Sequence, residues 1–275
     1  MTSRRYTTTK RLAVLRRELS VRQKAILSDV ARLGVMSGQQ VRHLHFRDDQ
    51  ASRRLARLDL AELVESGVLV RLGRRVGGQH SGSDGYCYCL GIAGQRLLDP
   101  DRRRYRRPWE PGASLLAHAL SVSQLYVDLR LAERNGPFRL VYFDAEPRCW
   151  RSFAGPGGAR RRLKPDAYVV IETDHFEDRF FIEADRGTEF PTRIEAKARA
   201  YISYYQSGRE HRDDDVFPVI VFVVPTEQRR SQIVDATARV PAEYWRLFTA
   251  VTAEHAATLL TNGSLVAGDK REDAS

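Results

Sequence analysis

The 275-residue chain has little cysteine, little lysine and no long apolar run. Its three cysteines are odd in number, and two of them, Cys87 and Cys89, stand two apart, so they make no disulfide framework. Neither a second cysteine pair nor a histidine pair at zinc spacing accompanies them, and they are expected as buried packing residues in a reducing compartment. No segment nears the roughly 20 apolar residues of a membrane-crossing helix. Met1 to Arg17 is studded with arginine where a secretory signal would be apolar. These absences exclude a membrane partner and predict a cytoplasmic protein. The glycine-rich stretches Gly77-Gly78 and Gly155-Pro156-Gly157-Gly158 lack the Lys-Ser or Lys-Thr of a phosphate loop, and Ser28, Ser114 and Ser121 stand in no nucleophile arrangement. An ATPase or nucleotidase is thereby excluded.

What is abundant is arginine, and it is unevenly placed. Residues 1–112 carry 23 Lys and Arg against 11 Asp and Glu, whereas residues 113–275 carry 22 against 24. Nearly all of the net charge of +10 therefore sits in the first part. Such a module suits a polyanion, because neutralising phosphates releases condensed counterions. Length alone favours two domains.

Residues 1–19 read as a basic flexible arm. Residues 20–99 then carry three helices and a hairpin. Ser20 caps a helix through Ala25, Ile26, Val30 and Leu33 that Gly34 closes, and Ser37 caps a short helix through Val41 and Leu44. Asp48 or Asp49 caps a longer one, in which Leu55, Leu58, Leu63 and Val64 are expected to be buried. Val68 to Leu72 and Tyr86 to Leu90 read as hairpin strands around a Gly- and Ser-rich tip, and Ile92 to Leu98 as a closing helix. Helix, helix, helix, hairpin is the order of a winged helix-turn-helix. The tract Leu63 to Arg71 resembles the helix-to-wing passage of bacterial winged helix regulators. That resemblance places Gln50, Ser52, Arg53, Arg54 and Arg57 toward the major groove of double-stranded DNA, and Arg74, Arg75, Gln79 and His80 in a basic wing. A winged helix used for protein contacts is the other reading.

Residues 100–112, with five arginines between prolines, read as a basic linker, residues 113–262 as a second domain and residues 263–275 as a flexible tail. In the second domain a helix over Leu115 to Glu133 precedes strands at Arg139 to Ala145, Ala167 to Thr173 and Arg179 to Ala184. A helix from Pro191 to about Gln206 and a strand over Phe217 to Val224 follow, an α+β or α/β plan of order αβββαβ. Pro165-Asp166 enters the second strand and Glu183-Ala184-Asp185 leaves the third, so an antiparallel pairing would bring Asp166, Glu183 and Asp185 together. Three converging carboxylates would suit magnesium or manganese, which activates water for phosphodiester hydrolysis.

Pro-Asp, a hairpin-length spacer and a Glu-x-acid triplet in this order of elements resemble the PD-(D/E)xK nuclease superfamily. More narrowly, Pro165-Asp166-Ala167, then Phe181 to Glu189, then Lys197 and Tyr201, behind a winged helix domain, resemble the replication-relaxation family of plasmid and mobile-element proteins. The likeness spans roughly residues 20–260. It implies Asp166, Glu183 and Asp185 as metal ligands and, with Lys197, as the catalytic set. Asp185 stands where the superfamily has its lysine. Arg186, Lys164 and Lys197 are the candidate replacements. Only 5 of the 45 basic residues are lysines, and the superfamily includes members whose lysine has moved to the following helix, which favours Lys197.

Two functions stay open on these grounds. One is a DNA-binding protein of a plasmid or mobile element that nicks DNA with magnesium or manganese during replication, relaxation or transfer. The other is a non-catalytic regulator or accessory factor whose second domain mediates dimerisation or partner contact. A homodimer would leave a palindromic footprint, and plasmid replication or transfer proteins are the expected company. An RNA target is a third option.

Overall fold

The computed structural model describes residues 8–73, 85–101, 105, 107, 108, 110–174, 176–210 and 216–262. Arg74, Arg75, Gln79 and His80, expected in a wing, lie outside these residues, as do the tail at 263–275 and residues 1–7 of the arm. The chain divides into two compact units, Met1–Val127 and Asp128–Ser275.

In the first unit, α1 (Thr9–Glu18) begins at Thr8, whose hydroxyl accepts from the Arg11 amide at 3.2 Å. This stretch was expected in a flexible arm. It is helical because Leu12, Leu15 and Leu19 recur at helical spacing and are buried. Two capping boxes follow, in which the cap hydroxyl and the side chain three residues on satisfy each other's backbone amides. Ser20 and Gln23 open α2 (Val21–Leu33), and Ser37 and Gln40 open α3 (Gly38–His45). Between them runs β1 (Val35–Ser37), a strand not expected from the sequence. Asp49 caps α4 (Gln50–Glu65), accepting from the Ser52 amide at 2.7 Å.

The buried stripe of α4 differs from the expectation. Leu63 is buried as expected and Val64 half-buried, but Leu55 and Leu58 are 43% and 49% exposed, and Ala56, Asp59 and Leu60 are buried in their place. Ala56, Leu60 and Leu63 recur at helical spacing on the buried face, and Asp59 at its edge accepts from Arg22 of α2 at 2.7 Å. Next come β2 (Leu69–Leu72), β3 (Cys87–Leu90) and α5 (Ile92–Leu98). The sheet is antiparallel in the order β1-β3-β2, with Cys87 and Cys89 buried as free thiols. Gly91 lies where the chain crosses itself: a Cβ there would stand 2.1 Å from the Gly67 carbonyl oxygen. α6 (Ala113–Glu133) carries the division between the units. Its Leu120 packs with Val35, Leu72, Cys87 and Cys89, which draws the start of this helix into the first unit instead of leaving the boundary at residues 100–112.

The second unit contains β4 (Phe138–Ala145), β5 (Arg151–Ala154), β6 (Arg160–Leu163), β7 (Ala167–Thr173), β8 (Glu177–Ala184), α7 (Pro191–Gln206) and β9 (Val219–Val224). α8 (Glu227–Thr237), β10 (Phe248–Thr252) and α9 (Ala253–Thr261) complete it. The β5/β6 hairpin, α8, β10 and α9 add to the expected αβββαβ order. One mixed sheet runs β10-β9-β8-β7-β4, antiparallel across β4, β7 and β8 and parallel across β8, β9 and β10. The parallel step from β8 to β9 needs a crossover, which α7 supplies. Phe181, Tyr201, Tyr204, Ile220 and Phe222 join strands and α7 in the core. Among the described residues no helix is long and apolar enough to cross a membrane.

Candidate functional site

The antiparallel pairing of β7 with β8 sets the register that matters. Ala167 lies opposite Ile182, and the Asp166 amide donates to the Ile182 carbonyl at 2.9 Å. Asp166 therefore sits level with Glu183, and its Oδ2 accepts the Ala184 amide at 2.7 Å. Before β7, the buried Cys149 thiol donates to the Pro165 carbonyl at 2.9 Å and fixes the approach to Asp166. Burial, then the Asp166 charge, raises the Cys149 pKa, so the thiol keeps its proton.

Glu183 is 3% exposed. Lys197 of α7 donates to its Oε2 at 2.8 Å and the Tyr201 hydroxyl to its Oε1 at 2.6 Å. Residues four apart on a helix share a face, so α7 delivers a cation and a hydroxyl to one carboxylate. Burial and the nearby Asp166 charge push the Glu183 carboxyl up to about 7, against the pull of Lys197 and Tyr201. Burial opposes the Lys197 charge, but Glu183 outweighs it and holds the ammonium protonated above its ordinary range. Lys197 is shared, since Glu189 also lies 3.0 Å away. The site thus holds more acid than this lysine cancels.

Asp185 does not join that group. Arg229 of α8 donates through Nε to Oδ1 and through Nη2 to Oδ2, each at 2.8 Å, and the Gly187 amide also donates to Oδ1. Burial would raise the Asp185 pKa, yet the Arg229 fork and the Gly187 amide prevail and hold it low. Asp185, expected as a third metal ligand beside Asp166 and Glu183, is instead held by Arg229 and the Gly187 amide and anchors α8. Asp166 and Glu183 remain suited to a hard cation. Magnesium is commonly held by one or two carboxylates together with substrate phosphates, and a carboxylate oxygen with one hydrogen bond keeps a lone pair for a metal.

Of the other lysine candidates, Lys164 is exposed and lies 4.8 Å over the Trp150 ring. Sequence reasoning placed Tyr201 on the buried face of α7 without its bond to Glu183, and did not single out Arg229. The four-residue spacing of Lys197 and Tyr201 was the available signal for the first. Nothing local announces the second, which comes from 44 residues away.

In the first unit, α4 turns Gln50, Arg53, Arg54 and Arg57 to solvent, with Ser52 half-buried. The Ser52 hydroxyl donates to Asp49 at 3.0 Å, so it serves the helix cap. Arg53 meets Asp48 at 3.0 Å. Arg54 and Arg57 have no partner among the described residues. A cavity of about 360 Å³ beside α4 is bordered by Arg53, Arg57 and Arg71, with Arg71 stacked 4.4 Å over the Tyr86 ring.

The structure is thus a mixed α/β protein in two units, one presenting an arginine-bearing helix and the other holding a buried acid and lysine cluster. The chain belongs to the replication-relaxation family, whose profile matches residues 27–220. No curated protein matches the sequence. Among solved structures, restriction endonuclease FokI bound to DNA is 13% identical over 91% of this chain and 50% of that one, with a TM-score of 0.27. The chain therefore spans half the length of that protein, and a superposition this weak carries no argument about fold or activity.

Proposed function

We propose that this chain is a cytoplasmic, duplex-DNA-binding protein that acts in the replication, relaxation or transfer of a plasmid or other mobile element. The first unit is a winged helix-turn-helix with α4 as its recognition helix, and the second follows the PD-(D/E)xK plan. The observation that carries the reading is the exposed row Arg53, Arg54 and Arg57 on α4, the helix that leads into β2 and β3 of the small antiparallel sheet, in the part of the chain that holds the positive excess. Arginine suits both phosphate and guanine edges through its two-pronged fork. Titrating labelled duplex DNA, with RNA as competitor, tests it. Absence of binding, or preference for RNA, overturns it.

A second reading is favoured by the Lys197 to Glu183 contact. The lysine absent from position 185 is supplied from α7, beside the two carboxylates that could hold magnesium or manganese. When bound, such an ion would supply activated water and neutralise developing charge. Asp166 and Glu183 would hold it, Tyr201 would fix the Glu183 carboxylate, and the Lys197 ammonium would sit beside the attacked phosphate. Nicking of supercoiled plasmid with either ion, lost in Asp166→Ala and Glu183→Ala, supports this. Tight binding without nicking supports the accessory factor.

A further inference from the structure

The β5/β6 hairpin stands between β4 and β7 and belongs to neither functional reading above. Residues 147–165 contain six basic residues, Arg148, Arg151, Arg160, Arg161, Arg162 and Lys164, and no acid. They do so in a half of the chain whose acids outnumber its bases, 24 to 22 over residues 113–275, so the hairpin's charge is local.

The register sorts these side chains. Ser152 pairs with Arg162 and Ala154 with Arg160, and directly paired residues lie on one face of an antiparallel ribbon. The other face carries Phe153 and Leu163, which are buried in the core. Continued outward with period two, the first face takes in Trp150 and Lys164. Contacts agree: the Arg162 guanidinium lies 5.7 Å and the Lys164 ammonium 4.8 Å from the centre of the Trp150 ring. Arg160, Arg162 and Lys164 are exposed and meet no acid among the described residues. Arg151 is different. It stacks 4.5 Å over Tyr168 and lies 3.5 Å from Glu210, so it is occupied inside. The tip is Gly155 to Gly158, with Gly157 and Gly158 at φ of 72° and 78°.

We propose that this hairpin is a second DNA-contacting surface, in which Arg160, Arg162 and Lys164 grip the phosphate backbone and Trp150 stiffens the row. A ribbon of two strands fits the major groove, which is about 12 Å wide. Three cations projecting from one face of it present fixed charges to successive phosphates. This face rests on the reading that the ligand is DNA, but not on the placement of α4 as recognition helix.

The test uses the full chain with Arg160, Arg162 and Lys164 replaced by alanine. These side chains are exposed, so the variant is expected to fold, and circular dichroism with a melting curve checks it. The dependence of Kd on salt is measured for wild type, this variant, the charge-preserving pair Arg160→Lys with Arg162→Lys, and Arg54→Ala with Arg57→Ala. Each lost phosphate contact lowers the logarithmic salt slope by about 0.9, so the triple variant should lose roughly 2.7. The lysine pair should keep the wild-type slope. A triple variant with an unchanged slope overturns the proposal while leaving α4 standing. An affinity that ignores Arg54 and Arg57 but falls with the hairpin charges overturns the α4 reading alone. A wild type that binds no duplex DNA overturns both.

Discussion

Arg229 and Asp185 meet fork to fork across the end of β8, both bonds at 2.8 Å, with the two residues 7% and 8% exposed. An acid at the end of β8 is therefore tied to α8. Removing one partner strands a buried charge, whereas replacing both leaves none. Arg229→Ala is expected to cost about 3–5 kcal/mol in urea unfolding, and Asp185→Leu with Arg229→Met much less. Equal losses in the single and double variants would show that the pair is not the cause.

The Glu183 carboxyl gives a signature in pH. Its folded pKa, about 7, lies above its ordinary value of 4.5, so the folded chain holds this proton more tightly than the unfolded chain. Its contribution to stability is present in full below about 4.5 and is lost as pH rises through 7. Unfolding in chelator at a series of pH values should show wild type losing stability across that window relative to Glu183→Gln. Parallel curves would contradict the assignment. Lys197 acts elsewhere: its raised pKa contributes stability below its ordinary value of 10.5, lost at higher pH.

How far the sequence reveals this site depends on distance along the chain. Asp166 and Glu183 could be brought together on paper because a hairpin joins them, and β7 appears at the expected residues, Ala167–Thr173. Arg229 could not be foreseen, since only the folded sheet brings α8 to Asp185. The β5/β6 hairpin was hidden for a different reason. Phe153 and Leu163 are the only buried residues of its two strands, and three consecutive arginines mask the alternation that marks a strand. In α4 leucines occupy more than one face, and the buried one is settled only by packing against the rest of the unit, where Asp59 reaches Arg22 in another helix.

That rotated stripe is open to direct measurement. Leu60→Ala, at a buried position outside the expected stripe, is expected to cost about 2–5 kcal/mol, and Leu58→Ala, at an exposed one, under about 0.5 kcal/mol. Denaturant midpoints compare the two. A greater loss at Leu58 would restore the stripe expected from sequence and turn Arg54 and Arg57 to a different direction.

If the second unit cleaves DNA, Lys197 is the residue that distinguishes cleavage from mere binding. Lys197→Met should abolish nicking of supercoiled plasmid in magnesium or manganese while leaving the Kd for duplex DNA within about twofold. The expected loss is about 10²-fold or more in rate, the scale of a misplaced general acid or base. Nicking that survives in Lys197→Met would remove this lysine from the chemistry.

The most direct measurement is fluorescence anisotropy of a labelled duplex titrated with wild type and with Arg54→Ala and Arg57→Ala. Each substitution should weaken binding, by about 1–3 kcal/mol where a base edge is read. Identical affinities in all three proteins would contradict the placement of α4 against DNA.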